Sequence, residues 1–583
     1  MRNFIRIACA VPPVRVGDVV KNTEDICAYM EKAAGEQADI VLFPELALTG
    51  STCGDLFRQE VLIDAAAEAL EGITAYSAGY PDLVAVFGLP VRRNGKLYNA
   101  AAIVCGGELL GVTAKKNVPV EQLRWFACDD AGINTFCANG IRFAVAVGED
   151  GCEKPDAQCV LHMGAAMELV GSRKYARSLA KQNSEGCIYA GVSAGCTEST
   201  ANGVFAGRSI IAQKGKILKE NENFIDTDYM LLLECDLNAD WEETAEVAPQ
   251  EKPLRKHPFI PSDKEQRRER CVEVFSLQVA GLKQRLKTIG ANAVIGISGG
   301  LDSTLALLVA VEAMRQLGRP MTDVYGVTMP CFGTSDRTYN NSWELMKKLG
   351  ISAKEINIRN AVTQHFADIG HDISVHNATY ENSQARERTQ ILMDYASTVN
   401  GIVVGTGDLS ELALGWCTYN GDHMSMYGVN ATVPKTLIRW IIESVAETPE
   451  FAPAKAVLDD ILDTPISPEL LPPDASGKIA QQTEDLVGPY ALHDFFIYYV
   501  LRHGYSPRKV YELACRAFVN DFDSATVKKW LTTFYRRFFT QQFKRNCMPD
   551  GVRVGSVSLG PRGDFNMPSD ATARIWLEEI EKL

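Results

Sequence analysis

The chain has 583 residues, of which 46% are hydrophobic and 23% charged, and its formal net charge is −14. This composition is typical of a globular protein, and the length allows two or more domains. The negative charge argues against nucleic acid or an anionic membrane as the main partner. It leaves room for a nucleotide, because a few basic residues and backbone amides can hold phosphates locally.

The first 247 residues alternate short apolar runs with amphipathic helical patterns. Strands are predicted at Phe4–Ala10, Ile40–Phe43, Leu83–Gly88, Ala100–Val104 and Phe143–Val147, with a helix over Asn22–Ala34. This alternation predicts an α/β layered domain over 1–247. Residues 248–270 are rich in proline and charge without apolar periodicity, which predicts a linker.

The α/β rhythm resumes in 271–583, the predicted second domain. A helix runs through Leu282 and is followed by strand Ala293–Ile297, helix Ser303–Leu317, strand Asp323–Thr328, helix Tyr339–Leu349, helix Asn382–Asn400 and strand Gly401–Gly405. Strands that alternate with helices favour a doubly wound parallel sheet. From Ala491 onward the pattern is mostly helical and aromatic, which predicts a helical C-terminal extension.

The cysteines and the chain's beginning bear on the compartment. The 16 cysteines are scattered singly between Cys9 and Cys547 without a C-x-x-C pair, so they favour reduced thiols over disulfides or zinc. Met1 to Ala10 lacks the features of a signal peptide, and no apolar stretch approaches the length of a membrane span. We expect a cytoplasmic protein.

The strongest local pattern follows the strand Ala293–Ile297. It reads Ser298-Gly299-Gly300-Leu301-Asp302-Ser303 and leads into an apolar helix. Two glycines let the backbone approach a ligand closely, and the helix then directs unpaired N–H groups at an anion. A carboxylate at Asp302 suits a Mg²⁺ ion that bridges phosphates. The alternative is a glycine-rich turn that binds nothing.

This string resembles the pyrophosphatase loop of the ATP-dependent adenylating ligases, and it lacks the Gly-Lys-Ser/Thr ending of a Walker A loop. The resemblance implies a reaction in which a carboxylate and ATP form an acyl-adenylate with release of pyrophosphate. A nitrogen nucleophile then attacks the acyl carbon.

Further motifs narrow the substrate. They are Glu381–Arg388, Val403–Glu411, Gly415–Tyr419, Asn430–Thr436, Phe543–Arg545 and Ser558–Asp564. Together, and in this order through nearly the whole second half, they resemble the glutamine-dependent NAD synthetases. The resemblance implies deamido-NAD, ATP and ammonia or glutamine as substrates and Mg²⁺ as cofactor.

The resemblance also implies roles by position. ATP would be held by Gly296, Ser298, Gly299, Gly300, Asp302, Ser303, Thr406 and Lys435, and the metal by Asp302 and Glu411. Deamido-NAD would be held by Asn382, Glu411, Trp416, Cys417, Thr418, Tyr419 and Lys544. The ring faces of Trp416 and Tyr419 suit a pyridine. Lys435 and Lys544 can neutralise phosphates or the charge that develops on the adenylate. Taken singly, Trp416 would be a core aromatic, Glu411 a solvated helix residue, and Lys544 a surface cation beside Arg545.

The first half contains Phe43-Pro44-Glu45-Leu46 at a strand end, which resembles the catalytic glutamate motif of the nitrilase family. That family implies an α-β-β-α sandwich in which a cysteine thiolate attacks an amide, a glutamate is the general base and a lysine stabilises the oxyanion. Glu45 fits the glutamate. Lys115 fits the lysine, with Lys116 as the alternative.

The third position of the nitrilase site departs from the pattern. The strand Phe143–Val147 runs into Gly148, which stands where the nucleophile belongs. Other departures are Glu121 in place of a tyrosine, Gly164–Glu168 in place of a serine-containing stretch, and Ser172, beside Arg173, in place of a basic residue. Cys152 is the alternative nucleophile or else a plain loop thiol.

Several losses around one pocket predict that this half is no longer a glutaminase. Glu45 and Lys115 would then form a vestigial pair in a structural domain through which the protein assembles as a homo-oligomer. Ammonia would come from solution or from a separate glutaminase. The alternatives are a fully glutamine-dependent synthetase, a different adenylating amidotransferase, and a non-catalytic scaffold in which both halves have decayed.

Overall fold

The structure is a computed structural model that describes residues 4–129, 135–150, 157–222, 224, 229–237, 254–333, 336–464, 483–562 and 565–583. The chain divides into two compact units. Unit 1 consists of Met1–Ser199 and Val204–Pro249, and unit 2 consists of Thr200–Gly203 and Gln250–Leu583. The domain boundaries at 247 and 270 stay predictions.

Unit 1 contains 12 strands and three helices in the described residues. In chain order they are β1 Phe4–Val11, α1 Val19–Gly35, β2 Ile40–Leu42, α2 Glu60–Tyr76, β3 Val84–Arg93, β4 Lys96–Cys105, β5 Glu108–Ala114, β6 Thr135–Ala138, β7 Ile141–Val147, β8 Cys159–Gly164, α3 Ser172–Asn183, β9 Ile188–Ser193, β10 Ser209–Gln213, β11 Lys216–Glu220 and β12 Tyr229–Asp236.

The strands of unit 1 form two six-stranded sheets, ordered β12-β1-β2-β3-β4-β5 and β11-β10-β9-β8-β7-β6. Alternate residues of both sheets, such as Ile7 and Val145, share one buried apolar cluster between them. On the outer faces, α1 and α2 cover the first sheet and α3 covers the second. This is the α-β-β-α sandwich that the resemblance implied, so that expectation is confirmed.

Unit 2 follows with five strands and 14 α-helices in the described residues. They are α4 Lys264–Ile289, β13 Asn292–Gly296, α5 Leu301–Gln316, β14 Val324–Thr328, α6 Asp336–Leu349, β15 Ser352–Glu355, α7 Arg359–Ile369, α8 Ala378–Thr398, β16 Gly401–Gly405, α9 Leu409–Leu414, β17 Tyr427–Gly428, α10 Lys435–Ala446, α11 Lys455–Leu462, α12 Thr483–Val487, α13 Tyr490–Ile497, α14 Pro507–Ala517, α15 Ser524–Thr540, α16 Gln542–Arg545 and α17 Arg574–Glu581.

The sheet of unit 2 is parallel throughout and ordered β15-β14-β13-β16-β17. The chain moves from β13 to one side and later returns to the other side, so the switch point lies between β13 and β16. Ligands bind beyond the carboxyl ends of the strands at such a point. The doubly wound parallel fold is confirmed, and its geometry directs attention to the loops that follow β13 and β16.

Helix α4 begins at Lys264, inside the stretch predicted as a linker. The carboxylate of Asp263 caps it by accepting a hydrogen bond from the backbone N–H of Gln266. A capped start in a charge-rich segment carries no apolar periodicity, which explains why the sequence pattern missed this turn. Residues 248–253 lie outside the described residues.

The helical extension shares its core with helix α9 of unit 2. Phe495 and Phe534 of α13 and α15 belong to one buried apolar cluster with Leu409, Leu412 and Leu414 of α9. The short helix α9 is therefore fixed by the extension. Across the part of the chain that the structure describes, none of the helices is both long enough and apolar enough to span a membrane.

Candidate active site

A cavity of about 610 Å³ opens at the carboxyl edge of the unit 2 sheet, beside the switch point. All of the predicted ligase-site residues except Tyr419 line it: Gly296, Ser298, Gly299, Gly300, Asp302, Ser303, Asn382, Thr406, Glu411, Trp416, Cys417, Thr418, Lys435 and Lys544. Tyr419 is half-exposed, and its ring packs against His423 and Phe543 instead. Residues separated by up to 248 positions in the sequence thus meet at one cavity.

Two serine hydroxyl groups form hydrogen bonds within the loop between β13 and α5. Ser298 Oγ accepts a hydrogen bond from the Gly300 N–H at 3.2 Å and lies 3.2 Å from Ser303 Oγ. Gly299 has φ +90°, a conformation that side-chain-bearing residues rarely adopt. Residues 296–303 line the cavity, and a helix start such as that of α5 suits an anion because its first N–H groups lack carbonyl partners within the helix.

Three carboxylates and one ammonium meet on the next part of the cavity wall. Lys435 Nζ lies 2.6 Å from Asp302 Oδ2, 2.9 Å from Asp408 Oδ2 and 2.8 Å from Glu411 Oε1. Burial opposes a charge on Lys435, but Asp302, Asp408 and Glu411 together raise its pKa well above the ordinary value. The lysine therefore stays an ammonium at neutral pH.

The carboxylates outnumber the single cation among them. Burial, followed by repulsion from Asp408, raises the pKa of Glu411 well above its ordinary value, and burial is also the main cause of the raised pKa of Asp302. Ligand oxygens of the three acids lie within 4.8 Å of one another, and Asp302 Oδ1 has no hydrogen-bond partner among the described residues. Hard oxygen ligands with excess negative charge fit Mg²⁺.

Asp408 was missed by the sequence reasoning, although it lies within the Val403–Glu411 motif. Its Oδ1 caps α9 by accepting hydrogen bonds from the N–H groups of Ser410 and Glu411. An aspartate directly before a helix is the ordinary signature of an N-cap. The capping role accounts only for Oδ1. The other oxygen, Oδ2, lies 2.9 Å from Lys435 Nζ, and the sequence pattern does not indicate this contact.

Two cations lie at the other end of α9. Lys544 Nζ donates to the carbonyls of Gly415 and Cys417 at 2.8 and 2.6 Å, and Arg537 Nε donates to the carbonyl of Leu414 at 2.9 Å. The Arg537 guanidinium also lies 5.2 Å from the ring centroid of Trp416. Burial lowers the pKa of both cations. Within the described residues neither forms an ion pair, so this wall favours an anionic ligand.

Arg537 lines the cavity and was also missed by the sequence reasoning. It lies in α15, where its neighbours follow an aromatic helical pattern and no motif marks it. Its position beside Trp416 depends on the packing of α15 against α9, which no local signal encodes.

Two amides tie the loops of the cavity together. Asn382 Oδ1 accepts from Thr418 Oγ1 at 2.9 Å, which connects α8 to the loop after α9. Asn430 is fully buried, and its Nδ2 donates to the carbonyls of Asp302 and Thr406 at 2.9 and 3.0 Å. Asn430 thereby fixes the phosphate loop relative to the end of β16.

In unit 1, Glu45 and Lys115 form a buried ion pair. Lys115 Nζ lies 2.8 Å from Glu45 Oε1, which also accepts from Asn99 Nδ2 at 2.5 Å. Only 2% of Glu45 and 3% of Lys115 is exposed, whereas Lys116 is exposed. Of the two lysines that the sequence left open, the structure therefore brings Lys115 to Glu45.

Gly148 directly follows β7 at the same site, with φ +66°. A Cβ atom added there would lie 2.3 Å from Lys115 Cε, 2.3 Å from Lys115 Nζ and 3.2 Å from Glu45 Oε2. The end of the Lys115 side chain thus occupies the space in which a side chain at 148 would begin.

The structure also places other residues at or beside positions where the sequence departs from the nitrilase pattern. Glu121 is exposed in the short turn after Pro119. Glu168 is buried in an ion pair with Arg208, and Arg173 contacts Glu220 at 3.3 Å. Cys152, the alternative nucleophile, lies outside the described residues.

Comparison with known proteins agrees with the division of the chain into two units. A family model described as NAD synthase matches residues 274–497, and one described as carbon-nitrogen hydrolase matches residues 6–126, which ends before β7. A glutamine-dependent NAD(+) synthetase of Mycobacterium leprae is 33% identical over 671 aligned positions that cover 100% of this chain and 98% of the relative. The corresponding enzyme of Mycobacterium tuberculosis H37Rv is 34% identical, with 99% and 98% covered.

A solved structure supports the fold. The glutamine-dependent NAD(+) synthetase of Cytophaga hutchinsonii superposes with a TM-score of 0.81 at 20% identity, covering 99% of this chain and 100% of its own. The fold and the sequence matches define an ATP-dependent carbon–nitrogen ligase with a nitrilase-like domain. Within that class the chain belongs to the family of glutamine-dependent NAD(+) synthetases.

Proposed function

We propose that this protein makes NAD⁺ from deamido-NAD, ATP and ammonia, and that its own glutaminase activity has been lost. The nicotinate carboxylate attacks the α-phosphorus of ATP, pyrophosphate leaves, and the acyl-adenylate forms. Ammonia then attacks the acyl carbon, AMP leaves, and the nitrogen loses a proton. The observation that carries the synthetase half is the convergence of the phosphate loop, the carboxylate cluster and the cationic wall on one cavity.

The ligase residues act by positioning and by charge, since no protein nucleophile is needed. Ser298, Gly299 and Gly300 present hydroxyl and N–H groups to the ATP phosphates. Lys435 offers a permanent positive charge against the phosphorane-like charge that develops during adenylation. Thr406 directly follows β16 and lines the cavity, and we assign it to the nucleotide.

The deamido-NAD side is the wall around α9. Trp416 and the loop through Cys417 and Thr418 offer an apolar face for the pyridine ring, while Lys544 supplies positive charge for an anionic group of the dinucleotide. Asn382 orients Thr418 through their hydrogen bond. Tyr419 packs outside the cavity lining, so Trp416 is the aromatic that we assign to the ring.

Magnesium would be held by Asp302 and Glu411, with Asp408 as a further carboxylate of the same cluster. When bound, the ion would neutralise phosphate charge and make pyrophosphate a better leaving group. The excess of carboxylates over ammonium in this cluster supports that assignment.

The loss of glutaminase activity rests on Gly148. A glycine has no side-chain nucleophile, and the end of the Lys115 side chain, paired with Glu45, occupies the space that a Cβ atom at position 148 would need. Removing a catalytic nucleophile lowers turnover by several orders of magnitude. Ammonia therefore comes from solution or from a separate glutaminase, and unit 1 serves as a structural domain through which we expect a homo-oligomer to assemble.

The deciding experiment measures NAD⁺ formation from deamido-NAD and Mg-ATP, with ammonium chloride or with glutamine as nitrogen donor. We expect product with ammonium and, because no nucleophile attacks the glutamine amide, a glutamine-supported rate at least about 1000-fold lower. Release of AMP and pyrophosphate in equal amounts with NAD⁺ is the accompanying readout.

The outcomes separate the alternatives. Comparable rates with glutamine would favour a fully glutamine-dependent synthetase, as the relatives are named, and a Cys152→Ala variant would then test the displaced nucleophile. Turnover with another carboxylate but not with deamido-NAD would favour a different amidotransferase. No product with either donor, together with no Mg-ATP binding, would leave a non-catalytic scaffold.

A second prediction concerns Gly148→Cys. We expect this variant to remain without measurable glutamine hydrolysis, because the new side chain meets Lys115 and displacing Lys115 breaks its buried pair with Glu45. The melting temperature should fall, and Gly148→Ala is the matched control, because it adds the Cβ atom without the thiol. Glutamate release by Gly148→Cys at a rate comparable with ammonium-driven synthesis would mean that the glycine at position 148 alone accounts for the loss of glutaminase activity.

A further inference from the structure

The helical extension contains a buried carboxylate that the proposed chemistry does not use. Asp494 lies in α13 between His493 and Phe495, and only 2% of it is exposed. Burial of a carboxylate is unfavourable unless its oxygens accept hydrogen bonds. In the described residues, the hydrogen-bond partners of the Asp494 carboxylate lie outside the extension, at the starts of α9 and α10.

The contacts of Asp494 join those two helices. Its Oδ1 accepts a short hydrogen bond from Ser410 Oγ in α9. Its Oδ2 accepts from the backbone N–H of Thr436 at 3.1 Å and from Thr436 Oγ1 at 2.6 Å, both in α10. Burial raises the pKa of Asp494 to about 6, and the hydrogen bonds from Ser410 and Thr436 act in the opposite direction.

The start of α10 depends on these contacts. Its N-cap is Pro434, whose side chain has no hydrogen-bonding atom, so the first N–H groups need partners from elsewhere. Ser410 Oγ accepts from the N–H of Lys435 at 2.9 Å, and Asp494 accepts from the N–H of Thr436. The backbone of Lys435 is therefore anchored through Ser410 and Asp494.

The contact between Ser410 and Asp494 also positions Glu411, which is one of the carboxylates that surround Lys435. Ser410 directly precedes Glu411, whose Oε1 lies 2.8 Å from Lys435 Nζ. A shift of α9 relative to α10 would change this distance directly. We propose that Asp494 is a positioning residue for ligation, which fixes the starts of α9 and α10 and thereby sets the Lys435 ammonium against Asp302, Asp408 and Glu411.

This inference rests on the proposed function, because it takes Lys435 and the carboxylate cluster as the ligation machinery. It also gives the helical extension a part in the reaction. Asp494 reaches the cluster from α13, while Arg537 and Lys544 hold the opposite end of α9 from α15 and α16.

The test is a double-mutant cycle with Asp494→Ala and Thr436→Val, read as kcat for ammonium-driven NAD⁺ formation at saturating substrates. We expect Asp494→Ala to lower kcat about 10- to 100-fold, since a misplacement near 1 Å costs up to about 100-fold. The KM values for ATP and deamido-NAD should change less than about threefold, because the groups that bind them remain. Thr436→Val should lower kcat by a smaller factor, again with little change in the KM values.

Because Asp494 and Thr436 act through one contact, the double variant should be no slower than Asp494→Ala within about twofold. The control is Val510→Ala, which truncates a fully buried residue of α14 in the same extension core. It should lower the melting temperature and leave kcat within about twofold of the parent.

Three results would overturn the inference: an unchanged kcat in Asp494→Ala, effects of the two substitutions that multiply, or an equal loss of kcat in Val510→Ala. If Asp494→Ala does not fold, Thr436→Val alone decides, because an unchanged kcat there contradicts the positioning role. Absence of NAD⁺ formation by the parent protein would instead contradict the proposed function, so the two failures are distinguishable.

Discussion

Replacing Lys435 by alanine is expected to lower kcat for NAD⁺ formation about 100- to 1000-fold, the usual effect of losing a buried group that stabilises transition-state charge. The ammonium of Lys435 contacts three carboxylates within 2.9 Å, and only 6% of the side chain is exposed. Its removal takes a fixed positive charge from the phosphate side of the cavity. The measurement is steady-state kinetics with ammonium as donor.

The same substitution should also lower the melting temperature. Removing one partner of a buried ion pair typically costs about 3–5 kcal/mol, because it leaves uncompensated charge. Protonation of Asp302 or Glu411, whose pKa values burial already raises, would relieve part of this cost. Added Mg²⁺ should therefore restore some thermal stability to Lys435→Ala if the cluster binds the ion.

Lys455→Ala is the matched control for Lys435→Ala. Lys455 also pairs with two acids, Glu447 at 2.7 Å and Asp459 at 3.2 Å, but its side chain is 43% exposed. Exposed ion pairs contribute little because water and salt screen them. We expect kcat and melting temperature to stay at parent values. Parent-like kcat in Lys435→Ala itself would rule out the assigned role of its ammonium.

Gly299→Ala is expected to abolish measurable synthetase activity. A Cβ atom at position 299 would lie 2.4 Å from the carbonyl oxygen of Thr338 and 2.9 Å from Ser342 Oγ, where ordinary contacts begin at 3.4 Å. The loop would have to move by about 1 Å, a displacement that costs about 100-fold in rate when it affects reacting groups. The φ value of +90° adds conformational strain.

The strain and the clash also predict lower stability for Gly299→Ala. A left-handed conformation costs a side-chain-bearing residue about 1–2 kcal/mol, and overpacking costs about 1–3 kcal/mol. Thermal unfolding and the affinity for Mg-ATP are the measurements. The matched control is Gly555→Ala in the same unit, where the described residues leave the Cβ position open within 4 Å and φ is not positive. Wild-type ATP affinity in Gly299→Ala would contradict the assignment of this loop to the phosphates.

Much of the ligase half could be predicted from the sequence because its signals are local. The order of strand, Ser298–Ser303 loop and helix is written in consecutive residues, and strand Gly401–Gly405 was predicted with the bounds that β16 has. Parallel strands place their carboxyl ends along one edge of the sheet. For that reason, motifs after different strands could be expected to meet at one cavity, and all the predicted ligase residues except Tyr419 line it.

Prediction from the sequence fails where a contact joins segments that are distant in the chain. Tyr419 follows Trp416 in one motif, yet its ring turns away to pack against His423 and Phe543. Asp494 is a single acid in an apolar helix, and nothing in its neighbourhood in the sequence points to Ser410 or Thr436. Arg537 reaches Trp416 only because α15 packs against α9.

By itself, then, the sequence determined the strand–loop–helix order around Ser298–Ser303, the order of the motifs and the presence of glycine at position 148, since each is a property of adjacent residues. The tertiary structure decided which carboxylates surround Lys435, which lysine pairs with Glu45, and that the Lys115 side chain fills the space beside Gly148. Those features depend on distances between segments 24 to 133 residues apart, and such distances are set by packing of the whole unit rather than by local propensity.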